Sequence, residues 1–289
     1  MTALLLAGGL ADPNLKSLAD HATKIGVSLI DVRGAPGQVP SLHFNPATGD
    51  LVFEGANLAP KAAFLRADVF TKNAPQSYQH GMSGLLAMLR GWAARDVSLR
   101  VFNTDPFGRS KSVNKAAALT AASALGFAIP ETRIGNHKAT LSDWLEGGAA
   151  LIQKPVTGGD LCRALDLTML AKHSAIPPVI AQDKVPGVDL RVFRVGARFI
   201  SFELHSPLLD YRDDTKALIV PVETPQKILA RLQTLTDQMG LTWSATDFKC
   251  CPDRGLVYLE TNANPMFYGF NRAADGALVH AMFEALGLV

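Results

Sequence analysis

The stretch from Asp247 to Pro265, D-F-K-C-C-P-D-R-G-L-V-Y-L-E-T-N-A-N-P, places acidic residues where they could hold a divalent cation. It reads as a β-hairpin, with one arm over Asp247 to Cys251 and the other over Leu256 to Asn262. Pro252-Asp253-Arg254-Gly255 supplies the turn, since Pro sets φ early and Gly tolerates positive φ late. Pairing Cys251 with Leu256 puts Asp247 opposite Glu260, and the two-residue period of a strand brings Asn262 onto the same face. Two carboxylates facing each other across a ladder repel unless something positive sits between them. Mg²⁺, held by carboxylates together with phosphate oxygens, meets that need. A solvated strand face that carries charge is the other reading of the spacing.

Further groups could act on a phosphate. Ala149 to Pro155 reads as a strand ending in Lys154, and Val156-Thr157-Gly158-Gly159-Asp160 follows as a Gly-rich loop. A Lys at a strand end beside such a loop can cover phosphates with backbone N–H groups and one positive charge. The G-K-[ST] of a Walker A loop is missing. Lys115 falls in the first turn of an Ala-rich helix, Val113 to Leu125, with Ser112 as its cap and Gly126 as its stop. A cation there opposes the helix dipole, which points to a nearby anion or to a solvated Lys. Asp189 and Arg191 are two apart on a strand, so they share a face and could pair with each other. Arg66 sits inside the apolar run Phe64 to Phe70 and needs a partner, either Asp68 or a group in a cleft. His205 suits a general base or a hydrogen-bonded strand residue.

These groups require a scaffold of alternating strands and helices. Ala3 to Ala7, Leu15 to Ile25 and Val27 to Val32 read as strand, helix and strand, which implies a parallel crossover. Gly8-Gly9 after the first strand is a turn or a weak phosphate loop, because the G-x-G-x-x-G spacing is absent. Leu85 to Trp92 is a helix and Leu99 to Phe102 a strand. Asn103 to Ser112 has linker texture, and Asp143 to Glu146 belongs to a short helix. Pro178 to Gln182 is a strand, and Asp189 to Val195 with Arg198 to His205 forms a second hairpin over Gly196-Ala197. At 289 residues the chain suits about two domains, and 48% hydrophobic with 19% charged residues describes a globular protein. A net charge of +2 gives no reason for a nucleic acid or an anionic membrane as partner. Three Cys, two of them adjacent, make neither a disulfide framework nor a metal spacing, which fits a reducing cytoplasm. No apolar run of about 18 residues and no leader pattern is visible, so neither a membrane span nor a signal peptide is expected.

In order along the chain, S-V-N-K with G-F-A-I-P-E-T, L-I-Q-K-P-V-T-G-G, V-I-A-Q-D-K-V-P-G-V-D-L-R-V-F-R-V-G and D-F-K with L-V-Y-L-E-T-N-A-N-P resemble the ATP-grasp superfamily, over roughly residues 110 to 289. Within it the chain looks most like the RimK-like branch. Asp210-Tyr211-Arg212, after F-E-L-H-S, is similar to an element of the microviridin- and graspetide-type peptide ligases. The resemblance implies an α/β (α+β) ATP-grasp fold of three subdomains, residues 1–105, 106–185 and 186–289, with ATP between the central and C-terminal lobes. It implies that Lys115 and Lys154 hold the ATP phosphates under the Gly158-Gly159 loop. Gln182 and the backbone at Asp183, Lys184 and Val185 would meet adenine, and Asp189 the ribose. Asp247, Glu260 and Asn262 would hold Mg²⁺, with Mn²⁺ as the alternative ion. Arg191 would stabilise charge on the transferring phosphoryl group. Arg66, His205 and Arg212 would face the substrate, a small molecule or peptide with a carboxylate.

The implied chemistry joins that carboxylate to an amine or alcohol through an acyl phosphate, by positioning and electrostatics and with no protein nucleophile. A homodimer is compatible with the resemblance. A non-catalytic nucleotide-binding relative with a regulatory or scaffolding role is the alternative, against which every phosphate and metal position is filled. The chain departs from the pattern at Lys184, where relatives often carry an aromatic residue. It departs again in the short Gly loop, where Arg163 is the extra cation, and in the segment Met266 to Asn271, which is less Gly-rich than expected.

Overall fold

The computed structural model describes residues 3–71, 73–104, 113–157, 162–171, 175–209, 214 and 216–289. The N-terminal stretch comprises β1 (Ala3–Gly9), α1 (Pro13–Ile25), β2 (Ser28–Gly34), β3 (Leu42–Phe44), β4 (Leu51–Phe53), β5 (Ala56–Asn57), β6 (Ala62–Leu65), α2 (Gln76–Ala93) and β7 (Arg100–Val101). Four of its strands form a parallel sheet in the order β2-β1-β6-β7, as the strand–helix–strand pattern predicts. The antiparallel ribbon β3-β4-β5 is separate from it. Helix α1 starts where Asp12 accepts from the Asn14 N–H, with Pro13 at its first position, and stops at Gly26, whose φ of 74° suits a residue without Cβ.

The middle stretch carries α3 (Lys115–Ala124), β8 (Thr132–Gly135), α4 (Lys138–Glu146), β9 (Leu151–Pro155), β10 (Arg163–Leu165), α5 (Leu167–Ala171) and β11 (Val179–Asp183). Its strands form an antiparallel sheet in the order β10-β9-β11-β8. Ser112 lies outside the described residues, and the cap of α3 is Asn114, whose Oδ1 accepts from Ala117 N at 3.1 Å. Helix α3 leaves the sheet that follows it in sequence. Leu119 and Ala122, with the adjoining Phe127, pack against Phe248 and Tyr258 of the next sheet.

The last stretch is β12 (Val188–Val195), β13 (Arg198–His205), β14 (Leu218–Val222), α6 (Gln226–Gln238), β15 (Trp243–Cys251), β16 (Gly255–Asn262), α7 (Tyr268–Ala273) and α8 (Ala277–Ala285). Its sheet is antiparallel in the order β14-β13-β12-β15-β16, which makes β16 an edge strand. One core joins this sheet to the N-terminal one: Leu4, Leu6 and Phe64 pack with Phe193, Phe202, Trp243, Phe267 and Phe283. Trp243 stacks on Phe193 at 5.8 Å and meets Phe267 edge-on at 5.3 Å. Each fully buried ring of this kind contributes about 1.5–3 kcal/mol, so the N-terminal sheet and the last hairpin are held together firmly. Among the described residues, no helix is long and apolar enough to cross a membrane.

Candidate active site

Hairpin β15–β16 meets the sequence-derived expectation at its base and departs from it at its tip. Cys251 pairs with Gly255, not with Leu256, because the turn is one residue shorter and Gly255 takes a left-handed φ of 67°. Phe248 pairs with Tyr258, yet Asp247 pairs with Glu260, so Leu259 is an extra residue and the ladder is bulged between Asp247 and Phe248. The bulge decides the chemistry. Carried on without it, the tip register would set Glu260 opposite Thr246 on the buried face. With it, Asp247 and Glu260 are cross-strand partners, and the Asn262 Nδ2 donates to Glu260 Oε1 at 3.2 Å.

Positive charge surrounds both acids. The Lys115 and Lys154 ammonium groups lie 3.7 and 3.6 Å from Glu260 Oε2. Each is also tethered to the backbone: Lys115 Nζ donates to the Pro155 carbonyl and Lys154 Nζ to the Leu259 carbonyl, both at 3.3 Å. The anion that the awkward helix position of Lys115 called for is thus Glu260. Burial pushes the Glu260 carboxyl up, but Lys154, Lys115, the Asn262 amide and Arg191 outweigh it and hold the group below the ordinary glutamate range.

Arg191 does not pair with Asp189. It forks Asp247 instead, Nε to Oδ1 at 2.6 Å and NH2 to Oδ2 at 2.7 Å, and lies over the Phe270 ring at 5.2 Å. Asp189 turns to Lys249, its own cross-strand partner, at 2.9 Å. Burial pushes the Asp189 carboxyl up, and Lys249 only partly offsets this. Neighbours on the same strand could have paired, but opposite residues on adjacent strands are closer and their side chains run side by side.

The segment expected to meet adenine has its side-chain amide buried and two of its backbone donors engaged within the protein. Gln182 is fully buried on β11, its Nε2 donating to Thr132 Oγ1 at 3.0 Å, and its Oε1 has no hydrogen-bond partner among the described residues. The N–H groups of Asp183 and Lys184 donate to the Glu131 and Ala150 carbonyls at 3.1 and 2.8 Å. The Asp183 carboxylate pairs with Arg254 at 2.7 Å, Lys184 is exposed, and Val185 packs with Cys251 and Val257.

Arg66 is not where a substrate contact would be. It is fully buried, and its partner is Asp12 at 2.6 Å rather than Asp68; Asn264, Pro265 and Met266 take its other donors. His205 is exposed on β13, 3.1 Å from Glu203 Oε2. Gly158, Gly159 and Arg212 lie outside the described residues. Lys249 and Arg254 escaped the reading of the sequence, although Lys249 is two residues from Asp247 and shares its face by alternation.

Asp247, Glu260 and Asn262 offer carboxylate and amide oxygens on one face, a hard donor set that suits Mg²⁺ or Mn²⁺. Among the described residues no group of three or more His, Cys, Asp or Glu gathers, so an ion here would need further oxygens from a ligand.

No family model and no curated protein matches this sequence. Solved structures do match over the whole chain. PsnB, an ATP-grasp ligase complexed with a phosphomimetic variant of a minimal precursor, Mg and ADP, is 19% identical with a TM-score of 0.75 over 99% of each chain. The macrocyclase MdnC of Microcystis aeruginosa MRC, bound with precursor peptide MdnA, is 18% identical with a TM-score of 0.76 over 100% of each chain. VanG D-Ala:D-Ser ligase of Enterococcus faecalis is 14% identical with a TM-score of 0.64 over 99% of each chain. The chain has the ATP-grasp fold, a mixed α/β architecture of several sheets.

Proposed function

We propose that the protein is an ATP-dependent ligase that joins a carboxylate to an amine or alcohol on a peptide. The convergence of Lys115 and Lys154 on Glu260, beside the Arg191–Asp247 fork, carries this reading. It gathers three cations, two acids and Asn262 where the four-stranded sheet β8–β11 faces the five-stranded one. ATP supplies a phosphoryl group that turns the carboxylate into an acyl phosphate, from which the amine or alcohol displaces phosphate. Mg²⁺ at Asp247, Glu260 and Asn262 neutralises phosphate charge when bound. Lys115 and Lys154 orient the phosphates, Arg191 faces the charge that develops during transfer, and Asp189 orients the ribose. A peptide substrate is supported by the structural neighbours that bind precursor peptides. Three cysteines in the whole chain, with no disulfide framework in their spacing, suit a cytoplasmic enzyme. We divide the chain at 1–105, 106–185 and 186–289, with α3 reaching across to the last unit.

Lys154 provides the direct test. Its backbone is fixed in β9, so its ammonium reaches a phosphate with little loss of freedom. Replacing it with Ala should weaken ATP binding by about 1.5–3 kcal/mol, the range for a hydrogen bond to a charged group, or roughly ten- to a hundredfold. Titration calorimetry with Mg²⁺ and ATP measures this, and an unchanged affinity would remove the nucleotide site from this cleft. Ligation itself is read from Mg²⁺-dependent ADP release on adding an acidic peptide. A protein that binds ATP but releases no ADP with such peptides would be a non-catalytic relative.

A further inference from the structure

In open α/β sheets, ligands are held at the carboxyl ends of parallel strands. Here that edge of the N-terminal sheet holds the protein's own chain. Asn14, reached from β1, accepts through Oδ1 from the N–H groups of Phe267 and Tyr268 at 2.7 and 2.8 Å. Arg66, directly after β6, donates from NH1 to Asn264 Oδ1 and the Pro265 carbonyl, both at 2.7 Å, and from NH2 to Met266 Sδ at 3.0 Å. Asn103, shortly after β7, donates to the Ala263 carbonyl at 3.2 Å and the Trp243 carbonyl at 2.8 Å. Its Oδ1 accepts from Thr242 and Trp243 N–H groups at 2.8 and 2.9 Å. Every residue from Ala263 to Tyr268 is therefore hydrogen bonded to one of three side chains that follow strands of the N-terminal sheet. Asp12 locks the set, accepting from Asn14 Nδ2 and Arg66 Nε at 2.6 Å each. Asp12, Asn14 and Arg66 are all fully buried.

This bracket holds the loop that leaves Asn262. Glu260 and Asn262 sit on an edge strand, immediately after a bulge that interrupts their ladder toward the hairpin tip. Their ladder anchor is on one side only, and the second anchor is the loop 263–268. We infer that Asn14, Arg66 and Asn103 are positioning residues that set the geometry of the metal-binding strand, an inference that rests on the metal role proposed above for Asp247, Glu260 and Asn262. The N-terminal sheet thereby supports metal binding from outside the site. Groups that orient metal ligands in this way typically affect affinity ten- to a hundredfold.

Two variants separate this role from general stability. Arg66→Lys keeps a charge beside Asp12 but cannot fork to Asn264 and Pro265. Asn103→Asp keeps the acceptor for Thr242 and Trp243 and a residue type that tolerates the φ of 54° there, and loses the donations to the Ala263 and Trp243 carbonyls. Mn²⁺ binding to the protein–ADP complex is followed by the loss of the free-ion electron paramagnetic resonance signal, and metal-free ADP binding by calorimetry. The expected result is Mn²⁺ affinity reduced about ten- to a hundredfold, with metal-free ADP affinity unchanged because Lys115 and Lys154 are untouched. Wild-type Mn²⁺ affinity in the variants would overturn this inference alone. Equal losses of Mn²⁺ and metal-free ADP would overturn it as well, by showing a general loosening. Wild-type protein with ADP that takes up no Mn²⁺ would overturn the metal role and the inference together. Asn103→Asp, which leaves the buried set intact, decides the matter if Arg66→Lys does not fold.

Discussion

Glu260→Gln should lose Mg²⁺-dependent ATP turnover and should also melt earlier than the wild-type protein. Taken from the hairpin alone, the second effect would have the opposite sign, because removing one of two facing carboxylates relieves repulsion. The structure reverses it. Asp247 is already neutralised by the Arg191 fork, and Glu260 is the counter-charge for Lys115 and Lys154. An amide leaves both ammonium groups in a half-buried site with no acid between them. The loss lies between the ~1 kcal/mol of an exposed pair and the ~3 kcal/mol of breaking a buried one. Its pH dependence follows from the lowered Glu260 pKa. A carboxyl depressed in the folded state stabilises above its unfolded value, about 4.3, and stops doing so as pH falls through the folded value. The melting difference between wild type and variant should hold steady at neutral pH and close in acid. A variant that melts later at pH 7 would show that repulsion dominates, and one that still turns over ATP with Mg²⁺ would dismiss Glu260 as a metal ligand.

Arg66→Met should be the most destabilising of the substitutions considered, by about 3–5 kcal/mol, the range for leaving a buried charge without its partner. Asp12 would remain buried with no cation, and Asn264 and Pro265 would lose their donor. The pair itself need not stabilise the protein, because desolvating both ions opposes their attraction. Adding Asp12→Asn to the same chain should therefore recover part of the loss. Urea unfolding of the single and double variants measures both effects, and a single-variant loss under about 1 kcal/mol would mean that water reaches the site.

Much of this architecture is legible in local pattern. Two apolar-rich runs, Asp189 to Val195 and Arg198 to His205, joined by the two-residue turn Gly196-Ala197 place hairpin β12–β13 almost to the residue, because the turn fixes the register. Parity along β16 likewise brings Glu260 and Asn262 together. Pairings between strands far apart in sequence are not legible. That Arg191 meets Asp247, and Asp189 meets Lys249, depends on how β12 aligns with β15 across more than fifty residues. Arg66 shows the same limit, since its acid comes from the N-cap of α1 and its carbonyl acceptor from the loop after β16. Short strands such as β3 to β5 carry too few residues for a period to register, and the hairpin tip departs from its expected register because a three-residue turn and a regular four-residue one share the same Pro and Gly.

The extra residue at Leu259 also bears on how such a site could be written as a search pattern. Asp247 and Glu260 are separated by twelve residues here: eight that pair across the hairpin, three in its turn, and Leu259 in the bulge. A chain with a regular ladder would need one residue fewer between the same two acids, and would keep Asp247 opposite Glu260 and Phe248 opposite Tyr258. A fixed-length gap would score such a chain as a mismatch, although its oxygens would stand in the same place. What the proposed metal site would constrain is which residues face each other, and the count of letters between them is free to change by one wherever a strand can absorb the difference.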